Sequence, residues 1–460
     1  MNSQNKKMAL LGSAPIPKAL LTMGIPTMIG MLVNALYNLV DAYFIGGLGE
    51  SQMGAITVTY PLGQVVVGLG LLFGNGAASY ISRLLGRRDK ENADKVASTA
   101  LYSSISVGAV IILFSLLFLS PILKLLGATD SILPYAKTYA SIYIISCIFN
   151  VFNVTMNNIA TSEGAAKTTM CALLTGAVLN IALDPIFIYI FDLGVAGAAI
   201  ATAISQVIST CVYLTYILRK KSVFHFKVKD CTYTKEIMSE IFKIGIPTLI
   251  FQILTSVSIS LTNNAAGNYG DSAIAGMGVV TRLISMGSLS VFGFIKGFQP
   301  IAGYSYGAKK FDRLREAIKT SILWSTVFCV IFGLVLALFP TAIVSQFTKS
   351  DTEMIRIGAA SLRANSISIM LFGFNTVYSS LFLALGKGRE GFILGACRQG
   401  ICFIPVILLL PMLWGLNGIL YAGPIADVLS AIITVFMAIP LHRKLNEMQK
   451  QTATTGTKNN

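Results

Sequence analysis

The apolar stretch LNIALDPIFIY contains an acid and an amide at helical spacing. Asn180 and Asp184 are four residues apart, so a helix places them on one face, one turn apart. Pro185 has no N–H to donate to the carbonyl of Ile181, which leaves that backbone oxygen in need of a partner. Carboxylate, amide and carbonyl oxygens suit a small cation such as sodium, and a buried carboxyl that loads and releases a proton would serve equally. The alternative is a proline kink whose acid is satisfied locally.

A second polar stripe leads to an acid in the first apolar stretch of the chain. Its members, at positions i, i+3, i+4 and i+7 of one helix face, are Asn34, Tyr37, Asn38 and Asp41. A polar face inside a membrane needs polar surroundings, so the stripe predicts a cavity on that side of the helix. The alternative is a carboxylate near the outer interface that makes only a cap or a hydrogen bond.

Two further apolar stretches carry polar stripes of the same spacing. They consist of Ser146, Asn150, Asn153 and Asn157 in one stretch and of Thr202, Gln206 and Ser209 in the other. Taken alone, each stripe is typical of the interhelical hydrogen bonds that hold membrane bundles together. All four stripes fall in the first half of the chain, however, and helices that turn polar faces inward together enclose a wet pocket. We therefore predict an ion- or proton-binding site beside a cavity in that half.

Membrane-spanning helices are the elements that position these residues. Of the 460 residues, 54% are hydrophobic and 12% are charged, and that charged share is about half of what soluble domains carry. A span needs about 20 apolar residues, and such stretches recur along almost the whole chain. We predict an all-α integral membrane protein, which excludes a soluble enzyme. The twelve helices are predicted at 20–45, 54–82, 96–119, 137–160, 168–191, 195–218, 242–265, 273–299, 319–339, 361–383, 392–413 and 416–441.

The loops between these helices alternate in charge. The two termini and the loops on their side hold 27 of the 35 Lys and Arg residues, whereas the opposite loops hold four. Under the positive-inside rule both termini are cytoplasmic, and we expect a multi-pass membrane protein with an even number of spans. The net charge of +15 then faces anionic headgroups, and its dispersal over short loops argues against nucleic acid as a partner.

Few charged residues fall inside the predicted helices. Apart from Lys137, Lys243 and Lys319 at the very ends of helices, they are Asp41, Asp184, Arg282, Lys296, Arg363, Arg398 and Asp427. Charged groups at membrane depth are costly and usually face a cavity or a partner. Asp427 is the only such acid in the second half, and it either pairs with Arg363 or Arg398 or meets a ligand. Lys296 is predicted to lie near the cytoplasmic end and to extend its ammonium group to the headgroups.

The chain repeats itself at an offset of about 221 residues. This offset aligns the segment GIP at 24–26 with GIP at 245–247, and GVAG at 194–197 with GLNG at 415–418. Six helices per copy is an even number, so the copies enter the membrane in the same sense and form two lobes related by an axis along the membrane normal. We predict a first lobe at 1–218, a cytoplasmic linker at 219–241, a second lobe at 242–445 and a disordered cytoplasmic tail at 446–460.

Four segments stand out by their order along the chain: GIPTMIGMLVNALYNLVDAYFIGGLGESQMGAITVTYP, GNGAASYISRLLGRRD, LNIALDP and IKGFQPIAGYSYGAK. Together with the repeat, they resemble the multidrug and toxic compound extrusion (MATE) family, and within it the DinF-type branch of MepA-like bacterial pumps. The resemblance covers Pro15 to Lys444. It implies twelve helices in two lobes and the export of bulky, lipophilic, often cationic compounds in exchange for protons or sodium ions.

The resemblance also implies roles for single residues. In that branch, an acid in helix 1, an Asn and Asp pair in helix 5 and a hydroxyl in helix 6 form the cation site. The matching residues here are Asp41, Asn180, Asp184 and Thr202. Candidate cavity-lining residues are Asn34, Tyr37, Asn153, Asn157 and Met170. Aromatic, amide and thioether groups suit varied flat cations.

The resemblance implies no cofactor and no metal beyond a coupling proton or sodium ion. We expect a monomer in the lipid bilayer whose partners are small-molecule drugs or toxic cations. A flippase of a lipid-linked precursor is the alternative, but its cleft needs several basic groups for phosphate, and the first half has none at membrane depth. A channel would not need acids confined to one lobe. An enzyme is least favoured, since no nucleophile and base pair lies at depth and the seven cysteines lack metal-type spacing.

Overall fold

The computed structural model describes residues 3–46, 48, 50–126, 128–347 and 352–457 of the chain. Within these ranges the regular structure is entirely helical. The helices are α1 (Ser3–Gly12), α2 (Ile16–Gly46), α3 (Glu50–Gly86), α4 (Lys90–Leu117), α5 (Leu119–Leu125), α6 (Leu133–Ser162), α7 (Ala166–Pro185), α8 (Gly194–Leu218), α9 (Lys235–Gly267), α10 (Asp271–Gly307), α11 (Phe311–Leu338), α12 (Pro340–Val344), α13 (Thr352–Ala384), α14 (Gly388–Ala396), α15 (Phe403–Trp414) and α16 (Leu416–Thr457). Short π-helical turns follow α7 at Ile186–Ile190 and α14 at Cys397–Ile401, and a 3-10 turn lies at Val228–Asp230.

The prediction of an all-α membrane protein with twelve spans is confirmed. In the described ranges, twelve helical stretches are long and apolar enough to cross a bilayer. Ten of them each correspond to one long helix. The fifth span joins α7 to its π-helical turn, and the eleventh joins α14, the second π-helical turn and α15. A proline or an irregular turn thus interrupts the fifth span of each half of the chain.

Two boundaries differ from the prediction. The seventh span begins with α9, earlier than residue 242, because the Thr234 side chain caps the first turn of that helix. The predicted disordered tail from residue 446 is wrong as far as Thr457, since α16 continues to that residue. Arg315 of α11 donates to the side chain of Gln449 (2.9 Å). Polar contacts with a neighbouring helix therefore extend α16 beyond its apolar part.

The helix pattern contains the internal repeat. In the first half α4 is followed directly by the short α5, and in the second half α11 is followed by the short α12. These short helices start at Leu119 and Pro340, which are 221 positions apart (340 − 119). Most helices pack against helices of their own half. In the first half α3 and α8 pack against α6, and in the second half α10 and α11 pack against α13. The bundle consists of two six-helix lobes, as predicted.

The two lobes meet on the side of the bundle that carries both termini, called the terminal side below; the opposite side is the far side. Near the terminal end of α3, Asn75 donates to Thr248 of α9 (3.0 Å), and Arg83 forms an ion pair with Glu240 (2.6 Å). Towards the far side, a Cβ added to Gly278 of α10 would meet no atom within 4 Å. The lobes therefore close the bundle on the terminal side.

Glycines bring α10 of the second lobe directly against α2 of the first. A Cβ added to Gly297 would lie 2.5 Å from the backbone nitrogen of Gly24, and one added to Gly293 would lie 2.4 Å from the Cα of Met28. The Thr27 hydroxyl donates to the Gly293 carbonyl (2.6 Å). Because a larger residue would force the two backbones apart, these glycines set how closely α10 approaches the first lobe.

The N-terminal helix α1 is held on the terminal side by a buried ion pair. Lys7 Nζ lies 3.5 Å from Oε1 of Glu163, which follows α6 directly. Glu163 also accepts hydrogen bonds from the backbone N–H of Val223 (2.6 Å), the hydroxyl of Ser222 (3.1 Å) and the hydroxyl of Tyr216. Burial raises the pKa of Glu163 above its ordinary value and lowers the pKa of Lys7.

We expect Lys7→Met to loosen α1 in a pH-dependent manner. At a pH above the raised pKa of Glu163, the variant leaves this buried carboxylate without its cation, at a cost of about 2 kcal/mol, because three hydrogen-bond donors remain. Since the folded pKa of Glu163 is raised, acidification through that pKa neutralises the carboxyl, and the cost falls as the pH falls. Hydrogen exchange of the α1 amides at pH 8 and pH 5 measures the difference from the wild type. Lys6→Met, at an exposed neighbour, is the control, and an equal loss of protection at both pH values would contradict the assignment.

Candidate functional site

A cavity of about 250 Å³ lies inside the first lobe. Its wall is formed by α2, α3, α6, α7 and α8, and one side chain of α10 reaches it from the second lobe. The predicted residues that line it are Asn34, Tyr37, Asn150, Asn153, Asn157, Asn180, Thr202, Gln206 and Ser209. Members of all four polar stripes therefore meet at one cavity, because each helix turns much of its polar face inward. The side chain of Asn38 lies outside the part of the chain that the structure describes.

The two acids of the first lobe face each other behind the cavity wall. The carboxyl groups of Asp41 on α2 and Asp184 on α7 lie within hydrogen-bonding distance of each other. Asp184 is completely buried, and neither acid is among the residues that line the cavity. Helix periodicity placed each acid on an inward face, but only the packing of α2 against α7 brings them together.

An amide connects the acids to the sixth span. The Asn180 side chain lies 3.3 Å from Asp184 Oδ1 and 3.4 Å from Thr202 Oγ1 of α8. With the amide turned so that both its ends are satisfied, its nitrogen donates to Asp184 Oδ2 (3.1 Å) and its oxygen accepts from the Thr202 backbone N–H (3.3 Å). The structure thus brings Asp41, Asn180, Asp184 and Thr202 together. These groups supply the oxygen ligands that a proton or a sodium ion needs.

Local backbone structure positions Asp184 at the end of a regular helix. The chain continues from Pro185 as the π-helical turn Ile186–Ile190, since proline cannot donate to the preceding turn and its ring pushes that turn open. A Cβ added to Gly197 of α8 would lie 2.5 Å from the carbonyl oxygen of Phe187, so α8 packs directly on the widened turn. The sequence offered a local irregularity at the proline as the alternative; the structure has one in the form of this π-helical turn, and it coexists with the paired acids.

None of the described basic side chains forms an ion pair with the paired acids. Within the described part of the chain, every ion pair of an aspartate or glutamate involves other residues, and Asp41 and Asp184 take part in none. One carboxyl oxygen of Asp41, Oδ1, is buried and receives no hydrogen bond from any described donor. Two adjacent carboxylates without a counter-charge repel each other, so this arrangement favours uptake of a positive species.

The predicted cavity residues differ in how free their side chains are. The Asn153 amide is fully used between α6 and α8, because it donates to Gln206 Oε1 (2.8 Å) and accepts from Thr210 (3.0 Å). Met170 is not among the described residues that line the cavity, whereas Met31 is. The sequence offered no sign of this difference, since a thioether on either helix suits the same role.

Lys296 is the side chain of α10 that reaches the first lobe, which contradicts the prediction that it extends to the headgroups. Its ammonium group donates to Oδ1 of Asn157, at the cavity wall. Gly293 and Gly297 on either side of it let α10 approach α2 so closely that the lysine enters the first lobe. Small residues at this spacing were the available sequence signal.

The acid of the second lobe is engaged in an ion pair. Asp427 is 3% exposed, and its Oδ1 lies 2.7 Å from Nε of Arg398. The hydroxyl of Ser368 donates to the other carboxyl oxygen, and the Arg398 guanidinium lies 4.3 Å from the ring centre of Phe372. Of the two arginines considered from the sequence, Arg398 is the partner. In the part of the chain that the structure describes, no group of three or more His, Cys, Asp and Glu residues is arranged to hold a metal ion.

Comparisons with known proteins agree with this architecture. The MatE family profile matches residues 26–186 and 247–409, one segment in each lobe. The Multidrug export protein MepA of Staphylococcus aureus (strain MSSA476) is 34% identical over 433 residues, which is 94% of this chain and 95% of that protein. The Multidrug export protein MepA of Staphylococcus saprophyticus is 33% identical over 429 residues, or 93% and 94% of the two chains. A solved structure described as the outward-facing conformation of a multidrug resistance MATE family transporter has a TM-score of 0.90 at 27% identity, and the match covers 97% of this chain and 99% of that one.

Proposed function

The chain belongs to the MatE family, and from this premise we propose that it exports its cargo in exchange for protons or sodium ions bound at Asp41 and Asp184. The predicted family is thereby confirmed, and the chain is a multidrug efflux transporter, in keeping with relatives that are multidrug export proteins. The alternative of a flippase is not favoured. Of the residues described, Lys296 is the one basic residue on the cavity wall, and a phosphate-bearing lipid headgroup would need a cluster.

The observation that carries the proposed coupling is the contact between two buried carboxyl groups, neither of which forms an ion pair with a basic side chain in the described part of the chain. Charge balance in such a pair calls for one shared proton or a bound sodium ion, since both groups cannot be ionised side by side at low cost. Asn180 and Thr202 supply the remaining polar contacts. A proton or a sodium ion therefore completes the site at Asp41 and Asp184. The bound proton or sodium ion leaves when water reaches the two acids.

The cargo is proposed to bind in the neighbouring cavity. Its wall combines apolar side chains with amides and the Tyr37 phenol, a mixture that suits lipophilic, often cationic compounds. Since Asn180 and Thr202 belong both to this wall and to the acid site, an ion at the acids changes the surface that the cargo meets. Such coupling is reciprocal: the factor by which the bound ion weakens cargo binding is also the factor by which the cargo weakens ion binding.

Alternating access is proposed to proceed by rocking of the two lobes. The closed terminal side, with its glycine contacts and the ion pair of Arg83 and Glu240, supports an outward-open state if that side is cytoplasmic. The excess of basic residues on the terminal side supports that orientation in a bacterial inner membrane. Opening the terminal side requires the α3 and α9 contacts to break. We propose that a single chain performs the cycle.

Transport in proteoliposomes tests the coupling. The purified protein is reconstituted, ethidium is added, and a proton gradient or a sodium gradient is imposed separately. We expect one of the two gradients to drive dye movement severalfold above the rate measured after an ionophore dissipates that gradient. Dye movement that responds to neither gradient would refute the antiport proposal, while a response to one of them also identifies the coupling ion.

A further inference from the structure

The ammonium group of Lys296 has no described carboxylate partner. It donates to the neutral amide of Asn157, and none of the ion pairs within the described residues includes it. A cation held in a low-dielectric surrounding by one amide lacks the counter-charge that would offset its desolvation. The position is therefore suited to a mobile anionic group that arrives with a ligand.

The surroundings of Lys296 are polar and preorganised. Asn157 is buried, and its amide nitrogen donates to the hydroxyl of Tyr213 (3.1 Å), which fixes the amide oxygen towards the lysine. Lys296, Asn157 and Tyr213 all belong to the cavity wall. Lys296 also borders a second, smaller cavity of about 20 Å³ between the lobes, so it stands where the large cavity meets the lobe interface.

The cavity consequently has opposite electrostatic character at its two ends. Thr202, beside the acids, and Tyr213, beside the lysine cluster, are eleven residues apart on α8, or about 16 Å along the helix axis. The acids attract positive charge at one end, and the ammonium group attracts negative charge at the other. A simple cation uses only the first end. A zwitterion uses both.

We propose that Lys296, Asn157 and Tyr213 form a subsite that binds a carboxylate of the cargo. The proposal rests on the proposed function, because it assumes that the cavity holds the cargo. On binding, the cargo carboxylate replaces the Asn157 amide as the acceptor of the lysine. This exchange also loosens a contact between the lobes.

Two dyes that differ at a single group provide the test. Rhodamine 110 carries a free carboxylate, and rhodamine 123 is its methyl ester, so the pair isolates the contribution of the negative charge. Binding of each dye to the purified full-length protein is measured by fluorescence anisotropy. For Lys296→Met we expect rhodamine 110 to bind about tenfold more weakly, since a charge-assisted hydrogen bond is lost. Rhodamine 123 binding should stay unchanged or improve, because a repelling charge has been removed.

Matched variants separate this subsite from other effects of removing a lysine. Lys296→Arg keeps the charge and should retain rhodamine 110 binding, whereas Lys319→Met removes an exposed charge of α11 and should change neither dye. An equal loss of both dyes in Lys296→Met would overturn the proposal in favour of a plain tether between the lobes, and unchanged binding of both would overturn it as well. Because binding is measured without a gradient, these outcomes are independent of the coupling proposal, whose failure is detected by dye transport.

Discussion

Asp184→Asn is expected to reduce ethidium efflux to the level of membranes that lack the transporter, while leaving the amount of folded protein unchanged. An amide has the shape of the protonated carboxyl and can donate to Asp41, so the buried contact between α2 and α7 persists. It can neither release a proton nor bring a negative charge to a sodium ion. The variant is therefore held in one half of the transport cycle.

The complete loss should lie in transport, since Asp184 does not line the cavity and makes no direct contact with the cargo. Because the variant resembles the ion-loaded state, rhodamine 123 should bind it about as weakly as it binds the ion-loaded wild type, while its efflux from cells is abolished. Asp41→Asn, on the facing helix, should behave in the same manner because the two acids share one positive species. Full efflux in either variant would contradict the coupling role.

A matched control for this substitution lies a few residues further along the chain. Asp192 is exposed and has a φ of 53°, a left-handed backbone conformation that asparagine adopts more readily than most residues. Asp192→Asn makes the same chemical change outside the site, and we expect wild-type efflux. A comparable loss in Asp192→Asn would indicate that removing one acid from this part of the lobe impairs the protein generally.

Helix periodicity explains why much of the candidate site could be predicted from the sequence. A polar residue in a span is so costly in lipid that its face must point inward, and this fixed the inward faces of Asn34, Tyr37, Asn180 and Thr202 without knowledge of the neighbours. The twelve spans follow from apolar length alone. The repeat then required two lobes, because an even number of helices per copy permits only a parallel arrangement.

Contacts between helices could not be predicted in this way. Whether Asp41 reaches Asp184, or whether Asp427 pairs with Arg363 or Arg398, depends on the rotation and tilt of helices that are far apart in sequence. The position that the sequence predicted for the Lys296 ammonium group was wrong for the same reason. Its depth in α10 suggested the headgroups, but the glycines beside it bring the helix against the first lobe, where the cavity offers a nearer acceptor.

The largest effect on stability is expected at Arg398. Asp427 is 3% exposed in the wild type, and Arg398→Met leaves its carboxylate without a cation. Removing one partner of a buried ion pair costs about 3–5 kcal/mol. The variant also loses the contact of the guanidinium with Phe372. A lower unfolding temperature and poorer recovery of the purified protein should report this loss. Arg363→Met, at an exposed arginine of α13, is the control and should leave the unfolding temperature unchanged.

The double variant Arg398→Met with Asp427→Asn decides whether Asp427 serves the fold or the cargo. Removing both charges eliminates the unpaired carboxylate, while the new amide still accepts from Ser368, so at least half of the lost stability should return. If the ion pair only holds α16 against the second π-helical turn, the restored protein exports ethidium at the wild-type rate. A double variant that is stable but exports no dye would instead assign Asp427 to the transport cycle, and the second lobe would then contribute an acid of its own.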